Sequence, residues 1–396
     1  MNRPDQSAAG PLAGLRVLEI AGIGPGPYAC MLLAELGADV VRIDRPGGAG
    51  LAQAPADELN RSRSNVAIDL KRPEGRDLVL RMAATADVLV EGLRPGVMER
   101  LGLGPDACLE ANPRLVYARM TGWGQSGPLA QAAGHDITYA ALTGALHATG
   151  GADKPRNAVN LVADFGGGSL FLITGILAAL YERTTSGWGQ VVDAAMVDGA
   201  SSLMTMVYGM YATGHWSDSR ESNLLDGGTP FYDTYACKDG RFVAVGALEP
   251  QFFAQFVELL GGGIPGQQSD PATWPGMRKA LAARFVERTR DEWAALFEGT
   301  DACVAPVLSL EEAPRHSHIA SRGIFTGKAD GGGRIPRVAP RFSRTPGLEP
   351  GPVRAAGQDS RAVLAAIGLS RPEIDELIEA GVVRQSREVN DDDRGV

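Results

Sequence analysis

The amino-acid sequence predicts an α/β protein in which a large domain, built on an open Rossmann-like parallel sheet, is followed by a smaller α+β domain. Three features of its 396 residues favour this fold class. Apolar strand segments alternate with amphipathic helix segments in the first half, and glycine-rich turns follow several strands. Near residue 228 the alternating pattern of a β-hairpin begins. With 44% hydrophobic residues, the chain can bury a core in more than one domain.

The segment "LRVLEIAGIGPGPYACMLLAELGADVVRID" is the first βαβ unit. It predicts a strand at 15–20, a helix at about 27–36 that ends before Gly37, and a strand at 39–43. The stretches "PEGRDLVLRMAATADVLVEGLRPG" and "NPRLVYARMTGWG" continue the pattern, and two apolar helices flank a short strand at 190–194. Strands joined by crossover helices run parallel, which indicates an open α/β sheet.

The domain boundaries follow from changes in this pattern. Residues 1–198 are predicted to form the first part of the large domain, and 199–227 a helix and linker. The hairpin "PFYDTYACKDGRFVAVGALEP" and a helix starting at Pro250 place the small α+β domain at 228–325. Residues 326–385 are predicted to return to the large domain, with short helices at 358–367 and 371–380, and 386–396 to form a disordered tail.

The composition argues against several classes of partner. A net charge of −9 and a pI of about 5.2 argue against nucleic acid, whose binding needs a basic surface. The four cysteines are scattered and form no C-x-x-C pair, so neither a metal site nor disulfides are predicted. A cytoplasmic location is expected, because thiols stay reduced there. The N-terminus shows no apolar export signal, and the uncharged stretch 165–181 is short for a membrane span, so no membrane association is expected.

The turn after the first strand matches a dinucleotide-binding fingerprint only in part. Its glycines, Gly22, Gly24 and Gly26, have the spacing G-x-G-x-G rather than G-x-G-x-x-G. Pro25 and Pro27 also remove N–H groups that a pyrophosphate would need. The turn therefore predicts no nicotinamide site.

Basic residues follow the strands at the predicted carboxyl edge of the sheet. Arg45 follows the second strand, Lys71 ends "AIDLK", Arg94 lies in "EGLRPG", and Arg100 comes shortly after. Ligands bind at the carboxyl ends of strands in open sheets, and cations there suit phosphate groups. The set therefore favours a phosphorylated adenosine such as coenzyme A.

Six motifs, spread over about residues 11–385, together resemble the family III CoA-transferases and their isomerase branch; they are "AGIGPGPYACMLLAELGADVVRIDRP", "VLVEGLRPGVMERLGLG", "YARMTGWGQSGP", "GHDITY", "DFGGGS" and "GQVVDAAMVDG". The resemblance implies an interlocked homodimer whose active sites lie between the large domain of one chain and the small domain of the other. It also implies a racemase that inverts the α-carbon of 2-methylacyl-CoA thioesters, with no cofactor besides the CoA of the substrate.

The resemblance further implies which residues form the site. The catalytic residues would be His135 and Asp164, with Glu249 supporting the histidine. The CoA-contacting residues that it implies are Arg45, Ile68, Asp69, Leu70, Lys71, Gly92, Leu93, Arg94, Arg100, Gly134, Asp136 and Tyr139.

The chemistry of inversion explains why these residue types are needed. A proton must leave one face of the carbon and another must arrive on the opposite face, which requires two acid/base groups. His135 and Asp164 can exchange these roles, and Glu249 would stabilise the imidazolium. The backbone N–H groups of Asp164, Gly166 and Gly167 are predicted to donate to the enolate oxygen, since glycine lets the thioester approach closely.

Two alternatives remain open at this point. A CoA-transferase would use Asp164 as a nucleophile that forms a mixed anhydride and releases CoA. That reaction has no use for a pair of His135 and Glu249, and many transferases of the family carry a longer glycine run where this chain has Gly227 and Gly228. The second alternative is an acyl-CoA-binding protein without catalysis, which the three polar candidates argue against. The identity of the acyl chain is not predicted.

Overall fold

The computed structural model describes residues 10–47, 58–327 and 333–386. Its strands are β1 (Arg16–Ile20), β2 (Asp39–Asp44), β3 (Ser64–Ile68), β4 (Val88–Glu91), β5 (Val116–Thr121), β6 (Val191–Ala195), β7 (Tyr232–Ala236), β8 (Phe242–Gly246), β9 (Val304–Pro306), β10 (Phe325–Gly327), β11 (Arg334–Pro336) and β12 (Val383–Arg384). The tail predicted at 386–396 lies outside the described residues, apart from Ser386.

The helices alternate with the strands in the first half of the chain. The α-helices are α1 (Pro25–Glu35), α2 (Pro73–Ala83), α3 (Val97–Arg100), α4 (Pro105–Ala111), α5 (Asp136–Leu142), α6 (Phe171–Ser186), α7 (Met196–Leu203), α8 (Thr205–Ala212), α9 (Pro250–Leu259), α10 (Trp274–Phe285), α11 (Arg290–Phe297), α12 (Ser317–Ser321), α13 (Ser360–Ala366) and α14 (Arg371–Glu379). A π-helix, Leu161–Leu170, runs directly into α6.

The chain forms two compact units. The larger contains the described residues of Met1–Thr143, Val159–Leu203 and Ile324–Val396, and the smaller contains Gly144–Ala158 and Met204–Gly323. Residues 144–158, predicted in the large domain, thus belong to the smaller unit, which also takes in most of the predicted linker. The reason is Arg220, whose guanidinium donates hydrogen bonds to the backbone oxygens of Gly151 and His147 and so holds this segment.

A seven-stranded sheet forms the centre of the larger unit, in the order β12–β3–β2–β1–β4–β5–β6. Neighbouring strands run parallel except for β12, which pairs antiparallel with β3 at the edge. The predicted parallel sheet is therefore confirmed, and the C-terminal segment supplies one edge strand. Strands β4 and β5 are buried along their whole length, as expected where helices cover both faces.

The first βαβ unit forms as predicted, except that α1 begins at Pro25 rather than near residue 27. Proline is suited to the first helical position because the N–H that it lacks would have no partner within the helix. Strands β1 and β2 pair from Arg16↔Asp39 to Ile20↔Ile43, so the turn before α1 lies at the carboxyl edge of the sheet.

Two buried carboxylates join separate segments of the larger unit. Glu19 in β1 accepts hydrogen bonds from Arg42, at 2.5 Å, and from Arg63. Glu35 at the end of α1 accepts two from Arg61, at 2.5 and 3.1 Å. Arg61 also donates to a backbone oxygen of the C-terminal segment at 2.9 Å. Because buried charges are tolerated only when they are paired, these arginines fix α1 and the C-terminal segment to the sheet.

The smaller unit is built on an antiparallel sheet in the order β7–β8–β9. Strands β7 and β8 form the predicted hairpin, with pairs from Tyr232↔Gly246 to Ala236↔Phe242, and α9 begins at Pro250 as predicted. The buried core beside this sheet is rich in aromatic residues from α9, α10 and α11, namely Phe256, Phe285, Trp293 and Phe297.

Candidate active site

The order of the strands reverses between β1 and β4, since β1 pairs with β2 on one side and with β4 on the other. Connections that leave the carboxyl ends of such strands diverge and leave a crevice where open α/β sheets bind ligands. A cavity of about 440 Å³ lies here, lined by residues 23–25 after β1, 92–95 after β4 and 120–123 at the end of β5. Chain topology therefore places the cavity where a ligand site is expected.

His135 lines this cavity immediately before α5. Its backbone is extended, with φ −141° and ψ 168°. The backbone N–H of His135 donates to the hydroxyl of Thr138 at 2.9 Å, and the backbone oxygen accepts the N–H of Thr138 at 2.8 Å. These bonds fix the backbone while the side chain is exposed. The imidazole is therefore accessible to a molecule in the cavity.

Asp164 lines the same cavity from the π-helix. Its Oδ2 accepts a hydrogen bond from the side-chain amide of Asn160 at 3.4 Å. Burial raises the pKa of the Asp164 carboxyl, and the charge of Asp136 raises it further, whereas Asn160 and a charged His135 act to lower it. Because the net shift is upward, Asp164 holds its proton to a higher pH than an ordinary aspartate. Such a group is suited to donating as well as accepting a proton.

The π-helix itself is unusual, since ten residues carry a hydrogen-bond pattern that most proteins use for a single turn. It is held against α1 by Ser169, which is fully buried and donates to the backbone oxygen of Pro25 at 2.7 Å. The rings of Tyr28 and Phe165 add a contact with centroids 4.6 Å apart. The first turn of the sheet thus fixes the helix that presents Asp164.

One of the predicted donors to an enolate oxygen already has a partner in this structure. The backbone N–H groups of Ala163 and Asp164 both donate to Asp136 Oδ1, each at 2.8 Å. Gly166 and Gly167 lie within the π-helix, outside the cavity lining formed by the described residues. That these glycines donate to the enolate oxygen stays a prediction. The start of a helix leaves N–H groups without partners, and the carboxylate of Asp136 takes two of them.

Two of the glycines after Asp164 allow close packing of helices. A Cβ on Gly167 would lie 2.5 Å from the backbone nitrogen of Ala200 in α7, and one on Gly168 would lie 3.0 Å from the side chain of Met196. Both glycines are buried. They allow α7 to pack closely against the π-helix.

The predicted CoA-contacting residues fall into different places. Five line the cavity, namely Gly92, Leu93, Arg94, Gly134 and Tyr139. Four more lie outside its lining but within the larger unit, at the ends of β2, β3 and α3, namely Arg45, Asp69, Lys71 and Arg100. Of these four, the three basic residues have exposed side chains.

Three of the predicted CoA-contacting side chains face the protein interior instead. Ile68 is 0% exposed in the core, and Leu70 packs against that core. Asp136 is 5% exposed, because its carboxylate bonds to the π-helix. Contact of CoA with the segments that contain Ile68 and Asp136 stays a prediction, and it would fall to their backbone atoms, since hydrophobic burial takes the first side chain and hydrogen bonding to the backbone takes the second.

Trp123 and Tyr139 form an aromatic wall of the cavity, with rings edge to face and centroids 4.7 Å apart. A Cβ on Gly122 would lie 2.2 Å from the Tyr139 ring, so glycine is required there. Trp123 was not predicted, although its place in "TGWGQSGP" directly after a strand was an available signal. Asn160, the partner of Asp164, was also missed, and no local pattern identifies it.

Glu249 belongs to the smaller unit, where it immediately precedes α9 and is exposed. Within the larger unit the structure brings His135 and Asp164 to one cavity together with the guanidinium of Arg94. Among the described residues, no cluster of three or more histidine, cysteine or acidic side chains could hold a metal ion. The chemistry available from the described side chains of the cavity is therefore proton transfer between an imidazole and a carboxyl, or nucleophilic attack by the carboxylate.

Comparison with known proteins decides the family. The model of CoA-transferase family III matches residues 12–360. The chain belongs to this family. It is 45% identical to the alpha-methylacyl-CoA racemase of Mus musculus, over 95% of this chain and 98% of that protein. Identity to the Homo sapiens racemase is 42%, over 95% and 99%. A solved CAIB/BAIF family protein from Brucella suis matches with a TM-score of 0.78 at 26% identity, covering 91% of this chain and all of that one. The family predicted from the motifs is confirmed.

Proposed function

We propose that the protein is an acyl-CoA racemase that inverts the α-carbon of 2-methylacyl-CoA thioesters. The observation that carries this proposal is that His135 and Asp164 line one cavity at the switch point of the sheet. Relatives named alpha-methylacyl-CoA racemase, at 42% and 45% identity over nearly the whole chain, support the same reaction.

The two side chains transfer protons as a pair. With one substrate configuration, neutral His135 removes the α-proton, and the electron pair of the C–H bond moves onto the thioester carbonyl to give an enolate. The carboxylic acid of Asp164 then returns a proton to the carbon from the other side. With the opposite configuration the carboxylate removes the proton and the imidazolium returns one. Each turnover leaves the pair with one proton in total, now on the other partner.

A CoA thioester suits the surroundings of the cavity. Arg94 lines it, and Arg45 and Lys71 follow neighbouring strands at the same edge of the sheet. Guanidinium and ammonium groups bind phosphate oxygens well, so we assign the CoA phosphates to this edge. The four cysteines of the chain are unpaired, which suits the reducing cytoplasm in which we propose that the protein acts.

We also propose that the protein acts as an interlocked homodimer, in which Glu249 of the partner subunit stabilises the imidazolium of His135. The proposal of a dimer is supported by an exposed apolar surface on the larger unit. The helical run Leu161–Ser186 is long and apolar enough to cross a membrane, and only 33% of its most apolar window is buried. Tyr181 is 77% exposed on it, although α6 packs on the sheet strands β5 and β6. We propose that a second chain, rather than lipid, covers this surface. Light scattering of the purified protein, with and without vesicles, tests this choice.

The reaction is tested with a single-enantiomer 2-methylacyl-CoA in deuterated water. We expect uptake of one deuterium at the α-carbon together with inversion. Mass spectrometry measures the deuterium and chiral chromatography measures the configuration. Inversion should be lost in His135→Ala and in Asp164→Asn, because a single group can return a proton only to the face from which it removed one. The matched control is His318→Ala, because His318 is an exposed histidine of the smaller unit.

The same experiment identifies the transferase alternative. No α-exchange, combined with movement of CoA to an added carboxylic acid that depends on Asp164, would overturn the racemase proposal. Retained binding of the thioester with neither reaction would indicate a binding protein.

A further inference from the structure

Asp136 directly follows His135 in the chain, and its carboxylate bonds to the backbone of Asp164. We infer that Asp136 is a positioning residue that holds the two acid/base groups in a fixed relation and adjusts the proton affinity of one of them. This inference rests on the proposed function and adds a residue to it.

The geometry of the connection is short and rigid. Asp136 Oδ1 accepts the N–H groups of Ala163 and Asp164 at 2.8 Å each, and the residue is 5% exposed. Only one peptide bond separates Asp136 from His135, whose backbone is itself fixed by Thr138. The path from the α-carbon of His135 to that of Asp164 therefore runs through one side chain. A movement of Asp136 would change the separation of the two acid/base groups directly.

The hydrogen bonds alone do not require a carboxylate at this position. An asparagine oxygen could accept the same two N–H groups at the start of the π-helix. A carboxylate adds a negative charge, which interacts favourably with the positive end of the helix. It also acts on the carboxyl of Asp164 nearby. The charge of Asp136 thus has an effect that its hydrogen bonds do not explain.

Among the described residues that affect the pKa of Asp164, Asp136 carries the negative charge. The other groups that face Asp164 or line the same cavity are Asn160 on the π-helix, His135 and Tyr139 at α5, Arg94 after β4, Gly24 at α1 and Met196 at α7. Burial makes the largest contribution to the raised pKa of Asp164, and Asp136 adds to it. A group that must both donate and accept a proton works best when its pKa lies near the operating pH, so the upward shift suits Asp164 to both roles.

Two variants separate position from charge. Asp136→Asn keeps an acceptor for the two N–H groups but removes the charge. We expect it to retain α-proton exchange, while the acidic limb of the profile of kcat/KM against pH moves to lower pH. Asp136→Ala removes both functions, and we expect kcat to fall about 100-fold, the order of loss produced by a displacement near 1 Å. The matched control is Asp106→Asn, an exposed aspartate in the first turn of α4.

A measurement that needs no turnover makes the inference independent of the proposed reaction. The Asp164 carboxyl is titrated by carbon NMR of protein labelled at the aspartate side chains, and its signal is assigned by its loss in Asp164→Asn. We expect its pKa to fall in Asp136→Asn and to be unchanged in Asp106→Asn. If the wild type shows no α-exchange but this titration moves as expected, the proposed function fails while the electrostatic role of Asp136 stands.

Either of two results would overturn the inference. An unmoved Asp164 titration in a folded Asp136→Asn variant would show that the charge of Asp136 does not act on Asp164. Full α-exchange by Asp136→Ala would show that the carboxylate does not position the pair.

Discussion

Buried carboxylates occur in two regions of the larger unit, and the two regions neutralise them differently. Glu19, Glu35 and Glu91 are 1%, 0% and 1% exposed, and each accepts a hydrogen bond from a buried arginine. Beside the cavity, Asp164 accepts a hydrogen bond from the side-chain amide of Asn160, and Asp136 accepts two from backbone N–H groups. The comparison teaches that burial alone does not mark a site: the nature of the partner separates a structural carboxylate from a reactive one.

The difference follows from what each partner does to the proton. A guanidinium favours the charged form of a carboxylate, although burial still leaves the pKa of Glu91 raised beside Arg119. Burial lowers the pKa of Arg42, but Glu19 and Asp44 outweigh it and leave that pKa raised. A carboxyl without a cation is held near its neutral form and can exchange a proton, which is how catalytic acids are made.

The largest expected effect comes from Asp164, beside the cavity. Asp164→Asn removes an acid/base group without changing the shape of the side chain, so we expect inversion of the α-carbon to fall about 1,000-fold. The fold should be unaffected, because the backbone N–H of residue 164 still donates to Asp136. Chiral chromatography measures the first effect and thermal unfolding the second. Inversion at the wild-type rate would mean that Asp164 transfers no proton.

The paired region should show the reverse pattern. Glu35→Gln removes the carboxylate that lies 2.5 Å from the buried guanidinium of Arg61 and leaves it Glu58 at 4.0 Å, so we expect a loss of about 3 kcal/mol in the free energy of unfolding. Activity per folded molecule should be kept. The double variant Glu35→Gln with Arg61→Met should recover part of the loss, since no isolated charge remains. Denaturant unfolding of the three proteins measures this, and a single variant as stable as the wild type would contradict the comparison.

The same comparison shows what the sequence could and could not predict. The strands and helices of the βαβ units were predictable because their signals, apolar periodicity and glycine turns, are local. The role of Asp136 was not predictable, because its carboxylate accepts hydrogen bonds from Ala163 and Asp164, which lie 27 and 28 positions later in the chain. The place of segment 144–158 was missed for the same reason, since Arg220 bonds to it from 69 and 73 residues away. His135 and Asp164 were predicted from whole motifs, and the structure places both beside one cavity, whereas the partner of the Asp164 N–H was unpredictable because a tertiary hydrogen bond to Asp136 decides it.

A third prediction concerns Glu91, which lies in the paired group but next to the cavity. Its carboxylate accepts Arg119 Nε at 2.9 Å and the backbone N–H of Leu93 at 2.7 Å, and Arg119 also donates to Glu99 at 2.9 Å. Arg119 thus holds both ends of the loop that carries Arg94. For Arg119→Met we expect KM for the thioester to rise about tenfold, the loss of roughly one charged hydrogen bond, with kcat little changed.

The control for this prediction is Arg119→Lys, which keeps the charge but cannot hold both carboxylates with a planar fork. We expect it to lie between the wild type and Arg119→Met. A fall in kcat with an unchanged KM would show instead that Arg119 acts on the reacting groups rather than on the loop.

The smallest expected effect is on the pH dependence of stability, where an unpaired and a well-bonded carboxylate should differ in sign. The pKa of Asp164 is raised in the folded state, chiefly by burial, so its favourable contribution is complete below the unfolded pKa and is lost as pH rises through the folded pKa. Asp164→Asn cannot ionise, and we expect it to be more stable than the wild type at neutral pH, with the gain disappearing in acid.

Hydrogen bonds from Ser370 lower the pKa of Glu373 at the start of α14, so its contribution is present above the unfolded pKa and lost as pH falls. Glu373→Gln should therefore be less stable than the wild type at neutral pH and equal to it in acid. Unfolding curves at several pH values measure both differences, and equal signs for the two variants would mean that burial beside the cavity does not favour the protonated form of Asp164.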